Sequence, residues 1–324
     1  MKTLVRAVFA ATALLLYALQ ATGQTWPAKP IRIIVPYAAG GGPDVQARQL
    51  STKLSMLLDS PVVVVNQVGA GGALGAQAVQ ASNPDGYTLL LGSNTQMIQK
   101  QMHPKLQFDP VAGFAAVSLI SQGPVVMLVL ASSPFRSLED VLRAAKESRG
   151  QVKYASGGLG TPAHLAAATL ESLEGVSFTH VPLRGSVEVL PTLMRGDVEF
   201  AFTVAATALP LLNSGKLRAL AVSSRARLEG LPNTPTLFEA TRQELLVQEH
   251  WFGLWAPKGT PTNVIERLHA ATRTALADPT LRDQFRSSGA HVRSSETAQD
   301  FDEFMRTENQ RWKKLTELSG LKAE

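Results

Sequence analysis

The chain has 324 residues, 45% hydrophobic and 18% charged, the balance of an ordinary globular protein, which excludes disorder as its main state. Its formal charge of +5 comes from scattered Lys and Arg with no basic face interleaved with aromatics, which argues against nucleic acid as a partner. Cysteine is absent, which removes lipid-modified cysteine, disulfides and thiolate metal sites; at about 150 residues per domain the length suggests two domains.

In chain order, Lys2 and Arg6 precede a 13-residue apolar run, Ala7–Leu19, and Ala21-Thr22-Gly23 supplies the small residues a signal peptidase needs. The run is too short to cross a bilayer core about 30 Å thick. Residues 1–23 are therefore expected to be a signal peptide cleaved before Gln24, leaving a periplasmic protein with a formal charge of +3.

Strands are predicted at Ile31–Val35, Val62–Asn66, Thr88–Gly92, Val125–Ala131, Lys153–Ala155, Ser177–Val181, Val198–Thr203 and Leu217–Val222. Helix signals lie between them: Ser137 and Asp140 make a capping box for a helix closed by Gly150, and Thr161-Pro162 open one closed by Gly175. The alternation predicts an α/β fold of βαβ units, a parallel sheet with helices on both faces. After Pro257 the pattern turns helical. Thr260-Pro261 open a helix through Ala277, and Phe301, Phe304, Met305, Trp312 and Leu315 form the apolar stripe of another. Arg311, Lys313 and Lys314, the one tight basic group, fall late in that helix, where cations suit the negative end of its dipole.

Three glycine-rich loops join strands to helices. In "IRIIVPYAAGGGPDVQARQL", residues 31–50, Gly40 and Gly42 fit a dinucleotide-binding fingerprint but its third glycine position holds Val45, and no lysine follows as a P-loop requires. What remains is a set of backbone N–H groups at a helix start, favourable to a small anion, or else a tight turn. "YASGGLGTPAHLAAATL", residues 154–170, repeats the design, and two such loops at strand ends fit a cleft with one anion-directed helix terminus from each wall. "NQVGAGGALGAQA", residues 66–78, is open to ligand contact or to close helix-to-sheet packing alone.

Together with "PDGYTLLLGSN", "VPLRGSVEVLPTLMRGDVEF", "LRALAVSS" and "WFGLWAPKGTP", these blocks resemble the periplasmic substrate-binding proteins of tripartite tricarboxylate transporters, the Bug or TctC-like family, from about Trp26 to the C-terminus. The resemblance implies a two-lobed type II periplasmic-binding-protein fold that closes like a flytrap. Lobe one would be residues 24–124 with 248–324, and lobe two residues 125–247, hinged near Pro124 and Val247. It also implies a small organic carboxylate as ligand, membrane permease subunits as partners, a monomer and no cofactor. The family's ligands include citrate-like tricarboxylates, dicarboxylates, acidic amino acids and aromatic carboxylates.

By the same resemblance, the ligand carboxylate is pinched between Tyr37, Ala38, Ala39, Gly41 and Asp44 of the first loop and Ser156, Gly160, Thr161 and His164 of the second. Ser93, Asn94 and Thr203 are expected to line the rest of the pocket. Pro43 and Thr203 depart from the family pattern, Pro43 by lacking an N–H and a hydroxyl, Thr203 by standing where relatives often carry Asp. Read locally, Asp44 accepts N–H bonds in a first helical turn, His164 packs or caps, and Arg184 either meets an anion or sits in solvent. Enzyme chemistry finds no support: GxSxG, HExxH and a cysteine nucleophile are all missing, and the six histidines show no metal-ligand spacing. A sensor presenting the bound carboxylate to a membrane kinase is the alternative reading.

Overall fold

A computed structural model of the chain describes residues 26–148 and 150–321. The expected signal peptide lies outside the described residues. Strand β1 (Ile31–Val35) leads into helix α1 (Gly42–Leu58), β2 (Val62–Asn66) into α2 (Ala73–Gln80), and β3 (Thr88–Ser93) into α3 (Asn94–Met102). These strands run parallel, with β1 between the other two. The 17-residue β4 (Phe114–Leu130) follows. Next come α4 (Leu138–Ser148), β5 (Lys153–Ser156), α5 (Pro162–Glu174), β6 (Thr179–Pro182), α6 (Ser186–Met194), β7 (Phe200–Val204), α7 (Ala205–Asn213), β8 (Leu217–Val222) and α8 (Leu237–Thr241). The chain ends with β9 (Glu249–Pro257), α9 (Thr262–Ala277), α10 (Pro279–Ser287), β10 (His291–Val292) and α11 (Ala298–Leu318).

The strand order is β2-β1-β3-β9-β4-β7-β5-β6, with β8 and β10 also pairing with β4. β4 is the seam. From Phe114 to Pro124 it pairs antiparallel with β9, and from Val125 onward it pairs antiparallel with β7 and β8. Ser223, just past β8, ties the crossing together: its N–H donates to the Val125 carbonyl (3.0 Å), its hydroxyl accepts from the Val125 N–H (3.0 Å), and its carbonyl accepts from the Gln248 N–H (2.9 Å). The Ser223 hydroxyl also donates to the Gln248 carbonyl.

Both faces of each sheet half are covered, so the strands read as almost unbroken apolar runs. The period of two sends Ile33, Leu89 and Leu254 to the face under α1 and α9, and Ile34, Leu90 and Trp255 to the face under α2, α3 and α11. In the other half, Met127, Tyr154 and Phe202 pack under α4 and α5, while Leu128, Ala155 and Ala201 pack under α6 and α7. Of the Phe301 stripe of α11, Phe301, Met305, Trp312 and Leu315 are buried and Phe304 is half-buried, and between them the buried Glu308 carboxylate accepts from the indoles of Trp251 (2.9 Å) and Trp312 (2.6 Å).

The predicted bounds of β1, β2 and β8 coincide with the structure, and the Ser137/Asp140 box and the Gly175 cap form as the residues require. Two expectations are corrected. The sheet is mixed, not parallel, because β9 returns between β3 and β4 and runs against both. β4 begins at Phe114 and not at Val125, since Gly123-Pro124 does not end the strand but marks where it changes partners.

Candidate functional site

Five strand-to-helix connections meet around an inner cavity of about 70 Å³, at the carboxyl ends of β1, β3, β5, β6 and β7. Each supplies a helix N-terminus: Pro43 of α1, Asn94 of α3, Pro162 of α5, Ser186 of α6, and Val204, the residue before α7. Partial positive charge and unpaired N–H groups therefore point inward from both sheet halves. Among the described residues, no Lys, Arg, Asp or Glu side chain lines this cavity. A larger cleft of about 620 Å³ adjoins it, sharing Tyr37, Gly157, Thr161 and Gly185.

The first loop is braced by charge. The Asp44 carboxylate, 3% exposed, accepts from the Gly40 N–H (2.9 Å), the Arg48 guanidinium (3.0 Å) and the Asn66 amide (2.8 Å). Burial alone would raise its pKa, but these three donors hold it below the ordinary carboxylate range. The Asn66 amide also donates to the Tyr37 carbonyl (3.0 Å), and the Tyr37 hydroxyl meets the Ser93 hydroxyl at 2.6 Å. An ideal Cβ on Gly42 would lie 2.8 Å from the Ala206 Cβ of α7, so glycine there lets the two sheet halves approach.

The second loop is braced by neutral rings. His164 Nδ1 accepts from the Gly160 N–H (3.1 Å), which fixes the imidazole as unprotonated at that nitrogen. Its ring stacks on His180 at 4.2 Å, and His180 Nε2 meets the Ser156 hydroxyl at 2.7 Å. Burial, and then the neighbouring His180, push His164 down to about pH 3; burial pushes His180 down to about 4. Thr161 caps α5 by accepting from the His164 N–H (3.3 Å). Gly160 holds a positive φ of 68°.

Of the residues expected at the site, Tyr37, Ala38, Ser93, Asn94, Thr161 and Thr203 line the inner cavity. Ala39, Gly41, Asp44, Ser156, Gly160 and His164 are not among its lining residues; Ala39 is exposed and the other five are buried. Asp44, Ser156 and His164 support the loops instead, and the Gly160 N–H is already taken by His164. Ala38, Gly157 and Ser186 line the cavity, and their N–H groups have no partner among the described residues. The 66–78 loop lines the larger cleft with Val68–Gly72 and also packs closely, the Gly75 Cβ position being 2.9 Å from the Pro36 Cβ. Arg184 is exposed at the edge of that cleft.

Three contributors went unread in the sequence. The Gly185-Ser186 start of α6 follows the same strand, glycine, helix design as the two loops singled out, and "VPLRGS" carries that signal. Phe252 packs edge-on against Tyr37 at 6.0 Å between centroids. His250, 3% exposed, lines the cavity with neither ring nitrogen hydrogen-bonded, and burial pushes its pKa down to about 4. Nothing in its local sequence marks it, since β9 alone carries it inward.

Residues 46–321 match the family model described as tripartite tricarboxylate transporter family receptor. The chain belongs to this receptor family. Among curated relatives, it is 34% identical over 290 residues to the UPF0065 protein of the tcbD-tcbE intergenic region of Pseudomonas sp. strain P51, covering 90% of this chain and 86% of the relative. It is 32% identical over 303 residues to protein BugT of Bordetella pertussis, covering 93% and 92%. Among solved structures, the receptor superposes on periplasmic binding protein BugD with a TM-score of 0.86 at 27% identity, covering 92% and 100%. An R. palustris protein with adipate gives a TM-score of 0.86 at 28% identity (91% and 98%), and MatC of Rhodopseudomonas palustris with bound malate gives 0.84 at 28% (90% and 99%). The fold is thus that of periplasmic binding proteins, and the family is one of solute-binding receptors, not enzymes. Among the described residues no helix is long and apolar enough to cross a membrane.

Proposed function

We propose that the receptor closes two lobes, residues 24–124 with 248–324 and residues 125–247, over a small organic carboxylate in the periplasm and hands it to the membrane permease subunits of a tripartite transporter. One observation carries this reading: helix N-termini from five connections converge on a cavity that contains no ionised side chain of either sign. An anion is favoured there by backbone dipoles and free N–H groups, with Ala38 on one side and Gly157 and Ser186 on the other as its donors. Adipate and malate in two solved relatives agree with a carboxylate in this fold. β4, β9 and the Ser223 ties are the crossing segments about which the lobes hinge.

The test compares an acid with its amide. A carboxylate at a hundred times its dissociation constant stabilises the fold by about 2.7 kcal/mol, read as a melting shift, whereas the matched amide or ester leaves the melt unchanged. Equal stabilisation by acid and amide would refute the anion site. N-terminal sequencing of the exported protein, expected to begin at Gln24, tests the location, and crosslinking in membranes to permease subunits tests delivery.

A further inference from the structure

Beyond the carboxylate-facing loops, the inner cavity has a side-chain wall of its own. Asn94, Thr203 and His250 all line it, with 0%, 1% and 3% of their surface exposed. Asn94 Nδ2 donates to the Glu249 carbonyl (3.2 Å), which fixes the amide orientation and leaves Oδ1 as an acceptor without a partner. Thr203 Oγ1 and both nitrogens of His250 are likewise without partners. Buried polar atoms in folded proteins are almost always paired, so four such atoms around one cavity mark what its occupant must supply. We propose that Asn94, Thr203 and His250 determine specificity by reading a neutral hydroxyl on the bound carboxylate, so that the receptor selects hydroxy acids over their unsubstituted counterparts.

The chemistry of the wall decides the class of the group it reads. Burial keeps His250 neutral, so one ring nitrogen donates and the other accepts. Asn94 Oδ1 accepts only, and the Thr203 hydroxyl does either. A second ionised carboxylate accepts only and leaves Asn94 Oδ1 orphaned. An ammonium satisfies the acceptors but finds no acidic side chain in the lining, the buried Asp44 carboxylate being held outside it by Arg48, Gly40 and Asn66. A hydroxyl both donates and accepts without charge, and so can pair with a donor and an acceptor of this wall at once.

This inference rests on the carboxylate reading, and the experiment separates the two. Calorimetry on the mature chain compares acids that differ by one hydroxyl: glycolate with acetate, lactate with propionate, malate with succinate, and mandelate with phenylacetate. Aspartate is set beside malate. The hydroxy acid is expected to bind at least tenfold more tightly in any pair that binds, and that ratio is expected to fall below threefold in Thr203→Val and in His250→Phe. Circular dichroism checks folding, and if His250→Phe fails to fold, Thr203→Val decides alone. Parity within the wild-type pairs, a ratio unchanged in the folded variants, or aspartate preferred to malate overturns the proposal while leaving the carboxylate site standing. If no pair binds, mass spectrometry of the molecule released on denaturing the protein from its native host decides. A hydroxy acid supports the proposal, an acid without a hydroxyl overturns it, and a molecule with no carboxyl group overturns the carboxylate reading and this proposal with it.

Discussion

The two glycine loops share a backbone plan and differ in how it is held. The first hangs on an ionised carboxylate, Asp44, gripped by Arg48, Asn66 and the Gly40 N–H. The second rests on two uncharged imidazoles, with His164 gripping the Gly160 N–H and His180 gripping Ser156. A glycine loop is therefore only the visible part of such a site, because its shape depends on the side chain that occupies its inner N–H. In both loops that side chain stands four residues after the glycine it holds, Asp44 after Gly40 and His164 after Gly160. In both, the gripped N–H is already satisfied within its own loop.

The largest break in this parallel comes from Gly160→Val. A branched residue at a φ of 68° is strained by about 1–3 kcal/mol, and the new Cβ position lies 2.6 Å from Gln99 Nε2 and 2.9 Å from Met102 Sδ, across the cleft. Gln99 would lose its 2.6 Å bond to the Leu159 carbonyl. The variant is expected to fold with a lower melting point and to lose the carboxylate-induced shift entirely. A full shift would show that the second loop does not have to close as tightly as it does here.

Acid separates the loops next. His164 stays neutral in the folded protein to about pH 3, and His180 and His250 to about 4, while unfolded imidazoles take up protons near 6.5. The unfolded state therefore binds more protons between about pH 6.5 and 4, and stability falls as the pH is lowered through that window, by up to about 1.4 kcal/mol per pH unit for His164 alone. Asp44 shifts in the same direction for the opposite reason, its charged form being the one the fold favours. Its folded pKa is lowered, so its contribution is intact above the unfolded value near 3.9 and is lost only as the pH falls below that. Urea melts at pH 7, 6 and 5 should show the slope, and His164→Gln should flatten it by about one proton where Asp44→Asn leaves it unchanged.

The smallest expected effects sharpen the comparison. Asp44→Ala removes an acceptor of three hydrogen bonds, one of them to a half-exposed guanidinium, and is expected to cost about 1–2 kcal/mol in a denaturant melt. Thr161→Ala removes the side-chain cap of α5, expected at about 1 kcal/mol. The first loop has no equivalent, since α1 is capped by Gly41 with no side-chain bond.

The sequence made the strands with clean ends legible. β1 lies between Pro30 and Pro36, β2 starts after Pro61 and β8 stops before Ser223, and their β-branched or alternating runs need no partner to be recognised. β9 was missed because "EHWFGLWAP" is buried on both faces between β3 and β4, so it shows no alternation, and its two tryptophans resemble a helix core as much as a strand. The first part of β4 was missed because Gly123-Pro124 reads as a stop. There the chain needs no ladder N–H from Pro124, as it is passing from one set of partners to another. The candidate site was half visible for a similar reason. Local sequence shows which residues start helices, but only the crossing strands bring His250 and Phe252 to the same cavity.

The placement of β9 also sets a schedule for folding. Ser93 at the end of β3 pairs with Phe252, and Phe114 at the start of β4 pairs with Pro257. In sequence β9 is separated from β3 and β4 by the whole of β5 to β8, so the edges of β3 and β4 stay unpaired until that distant strand is in place. Until then the six-residue β3 and the 17-residue β4 offer unpaired apolar edges, the geometry that invites wrong pairing. The first half of this molecule cannot act as an early folding unit, and a chain interrupted before Glu249 would carry a sheet with a gap in its centre. The smaller sheet half, β5 to β8 with the end of β4, needs nothing from beyond Val222 to pair its strands, so it is the part able to form first.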